Sequence, residues 1–96
     1  MKRLFLSDAA RSDMEDIWDY TSERWGTVQA ESYSDRIAEA FVDLCAGRAT
    51  SRSAQDVRPL MRTLLVGRHI IYFRATPERI EIVRVLHERM DPGRHV

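Results

Sequence analysis

The stretch RTLLVGRHIIYFRATPERIEIVRVLH, residues 62–87, decides the fold. It divides into RTLLVG (62–67), HIIYFRA (69–75) and RIEIVRVLH (79–87), each rich in β-branched and aromatic residues and bounded by turn formers. Gly67-Arg68 suits a two-residue hairpin turn, and Thr76-Pro77-Glu78-Arg79 suits a four-residue one. The three runs therefore predict a three-stranded antiparallel sheet. The turns also set a register: Phe73 opposite Ile82, Ile71 opposite Arg84, and Arg74 opposite Glu81, a charge pair that favours this alignment. In that register Leu64, Val66, Ile71, Phe73, Ile80, Ile82 and Leu86 share one face. Leu65, Ile70, Tyr72, Val83 and Val85 share the other, with Thr63, Arg74, Glu81 and His87. Both faces are apolar. One must cover helices, and so short a chain has nothing left to cover the second. An uncovered apolar face rimmed by Arg marks an interaction surface.

Upstream of the sheet the pattern is helical. KRLFL (2–6) reads as a short strand, and Ser7 as the cap of a helix with Asp8 in its first turn. Met14, Ile17, Trp18, Thr21 and Trp25 fall at helical spacing, which gives Trp18 and Trp25 a core role. Gly26 stops this helix and Thr27 is placed to cap the next. Its stripe is Ala30, Tyr33, Ile37, Phe41 and Leu44, and Gly47 ends it. So short a joint predicts an antiparallel helical hairpin. Residues 48–60, RATSRSAQDVRPL, form a polar loop without periodicity. The predicted fold is one α+β domain over residues 1–96, in the order β-α-α-β-β-β.

Bulk composition narrows the function classes. A chain of 96 residues with 44% hydrophobic and 31% charged residues is that of an ordinary globular domain, not a disordered one. No apolar run approaches the roughly 20 residues of a membrane span. The opening Leu4-Phe5-Leu6 is too short for a signal peptide, so a cytoplasmic location is expected. Cys45 is the single cysteine, which excludes an internal disulfide and a cysteine metal cluster. The zero net charge hides a split. Residues 1–45 hold ten acids and five bases, whereas residues 46–96 hold five acids and ten bases, all Arg. The second half is suited to an anionic partner.

Chemistry could reside in RVLHERMDPGRH (84–95). His87, Asp91 and His95 stand at four-residue spacing, yet Pro92-Gly93 breaks any helix that would align them, so no metal site is expected. Cys45 lies beside the stripe of the second helix and reads as a buried thiol. Asp13, Glu15, Asp16 and Asp19 read as a solvated helix face. Cleavage of RNA would need a base, an acid and cations at one phosphate. Arg62, His69, Arg84, His87 and Arg89 are candidates, but the register puts His69 and Arg84 on the face opposite His87.

The segments WDYTSERWG (18–26), GRHIIYFR (67–74) and IVRVLHERMDPGRH (82–95), with the opening LSDAARSDMEDIWDY (6–20), resemble the ParE branch of the RelE/ParE toxin superfamily. The resemblance spans nearly the whole chain except the loop 48–56. It implies a helical hairpin on an antiparallel sheet. It also implies the toxin half of a type II toxin–antitoxin pair, held in a hetero-oligomer by a ParD-type antitoxin. Toxins of this branch stabilise the cleaved-DNA complex of DNA gyrase, with no enzymatic activity of their own. The alternative is the RelE type, which cuts mRNA on the ribosome with basic residues and often a late Tyr. Here no Tyr follows Tyr72 and no Lys follows Lys2. The resemblance makes the tail a target-binding element with Arg84, His87, Arg89, Met90, Arg94 and His95. Trp18, Tyr20, Trp25, Tyr72 and Arg74 are the expected antitoxin-binding residues. No cofactor and no direct sequence-specific nucleic-acid binding is expected.

Overall fold

The computed structural model describes all of residues 1–96. The order is β1 (Arg3–Leu6), α1 (Asp8–Trp25), α2 (Thr27–Ala46), β2 (Arg52–Ser53), β3 (Arg62–Val66), β4 (His69–Ala75), β5 (Arg79–His87) and a single-turn α3 (Pro92–His95). This is the α+β arrangement expected, with a larger sheet. Five strands run in the order β1-β5-β4-β3-β2. The β1 strand joins parallel to β5, and the other pairings are antiparallel. The two-residue β2 comes from within the segment read as loop.

Local chemistry accounts for the helical hairpin. The Ser7 hydroxyl accepts from the Ala10 N–H at 3.0 Å, closing the start of α1. Gly26, at φ +91°, ends α1 by donating its N–H to the Ser22 carbonyl, and it is also the residue before α2. Thr27 is thus the first residue of α2, not its cap, and no side chain caps that end. Ala30, Ile37, Phe41 and Leu44 are buried as the stripe predicts. In α1 the buried row is Ala10, Asp13, Ile17 and Thr21. Trp18 and Trp25 are not core residues, since 38% and 70% of their surface is exposed.

The register expected for β4 and β5 holds from Ala75 to Phe73 and then slips. Phe73 faces Ile82 and Arg74 faces Glu81, but Tyr72 faces Arg84 and Ile71 faces Val85. Val83 is the extra residue of a β-bulge, which reverses the facing of every β5 side chain beyond it. Ser7 meets the bulge: its hydroxyl donates to the Val83 carbonyl at 2.6 Å, and its N–H donates to the Ile82 carbonyl. Val85 consequently joins the helix-facing core with Ile71, Phe73, Ile80 and Ile82. Leu86 turns to the far face.

That far face is not bare. Ala54, Met61, Tyr72 and Leu86 form a second, smaller core, with Val57, Ile70, Val83 and Val96 packed against it. Met61 is fully buried. The segment after α2 and the last residue of the chain supply the cover, which overturns the expectation of a naked second face. The tail is also more ordered than a plain turn. Asp91 caps α3 through its side chain to the Gly93 N–H, and the Arg84 guanidinium donates to the His95 carbonyl at 2.7 Å.

Candidate functional site

The β1 strand stops at Leu6, opposite Ile82, and leaves the upper half of β5 as an open edge. Asp13 of α1 closes it. Its carboxylate accepts from the Val85 backbone N–H at 2.9 Å and from two nitrogens of Arg84 at 2.8 and 2.7 Å. The pair is mostly withdrawn from water, with side-chain exposures of 20% for Arg84 and 10% for Asp13. The hydrogen bonds to Asp13 push the Arg84 guanidinium further toward its charged form, against its partial burial. Asp13 is therefore not part of a solvated helix face. Arg84 is tied to α1 and to the tail, not free to grip a target.

One turn further along, the bulge brings His69 and His87 opposite each other. Their rings meet edge to face at 5.4 Å. Both therefore serve one site, contrary to the face assignment made from the unbulged register. Behind them the Tyr33 hydroxyl lies 2.6 Å from His69 Nδ1. It also accepts from the Arg68 N–H at 3.1 Å. Gly67 is required here: it has φ +58°, and a Cβ would come within 2.7 Å of the Tyr33 ring. Burial, and then the neighbouring His87, hold His69 below the usual histidine range. The Arg89 N–H donates to His87 Nδ1 at 3.2 Å.

Two clefts meet at this histidine pair. One, of about 430 Å³, lies against α1 and the end of β5, where Asp13, Asp16, Ile17 and Met90 line it. The other, of about 680 Å³, carries Arg24, Trp25, Arg68 and Arg89. Tyr20, His69 and His87 border both.

Of the expected target-binding residues, His87, Arg89 and Met90 reach this groove. Arg94 and His95 are exposed on α3 and line neither cleft. Of the expected antitoxin-binding residues, Trp18, Tyr20 and Trp25 are exposed along α1. Tyr72 is 4% exposed in the smaller core and cannot offer its ring to a partner while that core is closed. Burial pushes its hydroxyl above the usual range, as do the carboxylates of Asp56 and Asp91. Arg74 is half-buried beside Glu81, away from the α1 aromatics. Cys45 is buried, as expected, and its burial raises its pKa. His87, Asp91 and His95 do not gather as ligands, and no group of three or more His, Cys, Asp or Glu side chains is arranged to hold a metal.

Sequence reasoning missed Asp13, Tyr33 and Arg68 as site residues. A signal existed for the first. Asp13 occupies a position of the Ala10, Ile17, Thr21 row, where an acid needs a buried partner.

The family described as "ParE toxin of type II toxin-antitoxin system, parDE" matches residues 4–92. The chain belongs to the ParE toxin family. It is 41% identical to Toxin ParE1 of Mycobacterium tuberculosis over 95 residues, covering 98% of this chain and 97% of that one. It is 31% identical to Toxin ParE1 of Caulobacter vibrioides over 96 residues, 100% of this chain and 99% of the relative. A solved structure described as "Chromosomal ParDE TA system from P. aeruginosa" superposes with a TM-score of 0.78 at 24% identity, covering 91% of this chain and 96% of the other. That likeness concerns the fold, which this ParE-family chain shares over nearly its full length. No helix in it is long and apolar enough to cross a membrane.

Proposed function

We propose that this ParE-family chain poisons DNA gyrase by stabilising its cleaved-DNA complex, and that a ParD-type antitoxin neutralises it in a hetero-oligomer. The carrying observation is the near full-length match to the family and to Toxin ParE1 proteins. In this reading the chain needs no catalytic group or cofactor of its own and works in the cytoplasm. Trp18, Tyr20, Trp25 and Val28 are exposed on the helical hairpin, and Trp18 and Trp25, seven residues apart on α1, offer apolar surface on one side of it to an amphipathic partner segment. Target contact falls to Arg89, Met90, Arg94 and His95 after β5, with His87 at the groove.

The test is direct. Added to purified gyrase and supercoiled DNA, the chain is expected to yield linear, covalently protein-linked DNA, and the ParD-type protein encoded beside it should suppress this. The second reading, a RelE-type endoribonuclease, is favoured by one observation: His69 and His87 meet in one groove with Arg68 and Arg89 at its border. Codon-specific cuts in mRNA on purified ribosomes, without linear DNA from gyrase, would replace the first reading with the second.

A further inference from the structure

We propose that the larger cleft is a binding site for a nucleoside phosphate, with the base against Trp25 and Tyr20 and the phosphate against Arg24, Arg68 and Arg89. Acids and bases balance in the whole chain, yet none of the ten residues lining this cleft is an acid. Three guanidinium groups converge from separate elements: the end of α1, the β3–β4 turn and the segment after β5. Arg24 and Arg89 form no ion pair. Arg68 has only a loose one, 3.7 Å from Glu88. The positive charge is thus left for a ligand, and planar guanidinium forks suit phosphate.

The aromatic half of the site sits beside it. Trp25 is 70% exposed and Tyr20 59%, the two most exposed of the large aromatic side chains outside the cores. Arg24 already stacks on the Tyr20 ring at 5.3 Å, so a cation and a flat surface are held together. The flat face of a nucleobase can lie on such rings without sequence readout. A volume of about 680 Å³ is of the size small-ligand sites have.

The turn that presents Arg68 is rigid before any ligand arrives. The Arg68 N–H donates to the Tyr33 hydroxyl, and the Arg68 carbonyl accepts from the Glu88 N–H at 2.8 Å. Gly67 admits the Tyr33 ring beneath it. A clamped backbone reduces the ordering cost of binding. The site shares Tyr20 and Trp25 with the proposed antitoxin surface and Arg89 with the proposed target surface, so a bound nucleoside phosphate would compete with both, yet its binding to the isolated chain is measured without either.

Calorimetric titration of the purified chain tests it, with ADP, adenosine, inorganic pyrophosphate and a single-stranded dT5 oligonucleotide as probes. ADP should bind about tenfold or more tightly than adenosine or pyrophosphate, because only ADP uses both halves. Trp25→Ala should weaken ADP by about tenfold, and Arg68→Glu with Arg89→Glu should abolish it, while circular dichroism stays that of the wild type. If dT5 displaces ADP and binds tighter, the natural source of the ligand is a strand; if it does not, the source is a free nucleotide. Pyrophosphate binding as tightly as ADP would reduce the site to a plain anion patch and overturn the proposal. So would an acidic peptide that occupies the cleft where ADP does not, or no binding by any probe.

Discussion

The two faces of the sheet are covered in different ways. The helical face rests on two long periodic helices and a core of 13 buried residues. The far face rests on four buried residues, two of them, Ala54 and Met61, from a segment with almost no regular structure. The first core is continuous with the elements that fold locally. The second closes only when the segment from residue 48 to Met61 folds over the sheet, with Val96 packed against it. Stability should be divided unequally between them, with global unfolding tied to the helical face and local opening to the other.

The sharpest test of that division is a charge in the larger core. Ile71→Asp or Phe41→Asp buries an unpaired carboxylate and should unfold the chain, a loss of more than about 4 kcal/mol. Circular dichroism showing either variant folded with near wild-type melting would break the comparison at its stronger side. On the weaker side, Leu86→Ala removes a fully buried side chain and should cost about 2–4 kcal/mol. Its effect should be local. Hydrogen exchange should quicken over residues 54–61 while the amides of α1 and α2 keep their protection. Uniform loss of protection would mean that the two cores act as one.

Asp13 links α1 to the stretch of β5 where the two faces exchange side chains. Asp13→Ala leaves the Val85 N–H without its acceptor and Arg84 without its counter-charge, held by the His95 carbonyl alone, and should cost on the order of 2–3 kcal/mol in urea melts. Adding Arg84→Leu should recover part of that loss by removing the stranded charge. A single variant as stable as the wild type would show that the open β5 edge is satisfied otherwise.

The smallest effect is a pH dependence. The unfolded chain protonates His69 near the ordinary value of about 6.5, whereas burial and His87 keep the folded chain from doing so until lower pH. The contribution is intact above the unfolded value and is lost as pH falls from there through the folded one. His69→Gln should therefore narrow the drop in melting temperature between about pH 7.5 and pH 5. An unchanged drop would mean that the groove holds His69 no differently from the unfolded chain.

Much of the architecture was legible because it is periodic. Helical spacing placed Ile37, Phe41 and Leu44 in the core, and turn chemistry placed Phe73 opposite Ile82. Two features escaped. The cover of the far face depends on Met61 and Val96, isolated apolar residues with no period to betray them. The candidate site depends on the bulge at Val83, which has no signature in residue type, because Val83 looks like every other β-branched residue in its strand. Trp18 and Trp25 sit at helical spacing with Ile17 and Thr21 and so read as core, but α2 and the sheet meet the Ala10–Asp13–Ile17–Thr21 row.

The bulge also bears on how relatives of this chain are aligned. Val83 is the one residue of β5 left out of the ladder, and His69 faces His87 because it is left out. A homologue without the equivalent of Val83 keeps both rings in one groove with no bulge at all. A homologue that keeps the residue and pairs it regularly sets His69 against the residue before the second histidine and displays the rings on opposite faces of its sheet. A single-residue gap between positions 82 and 84 is therefore no sign that the groove is lost, and ungapped sequences are the ones whose register has to be checked.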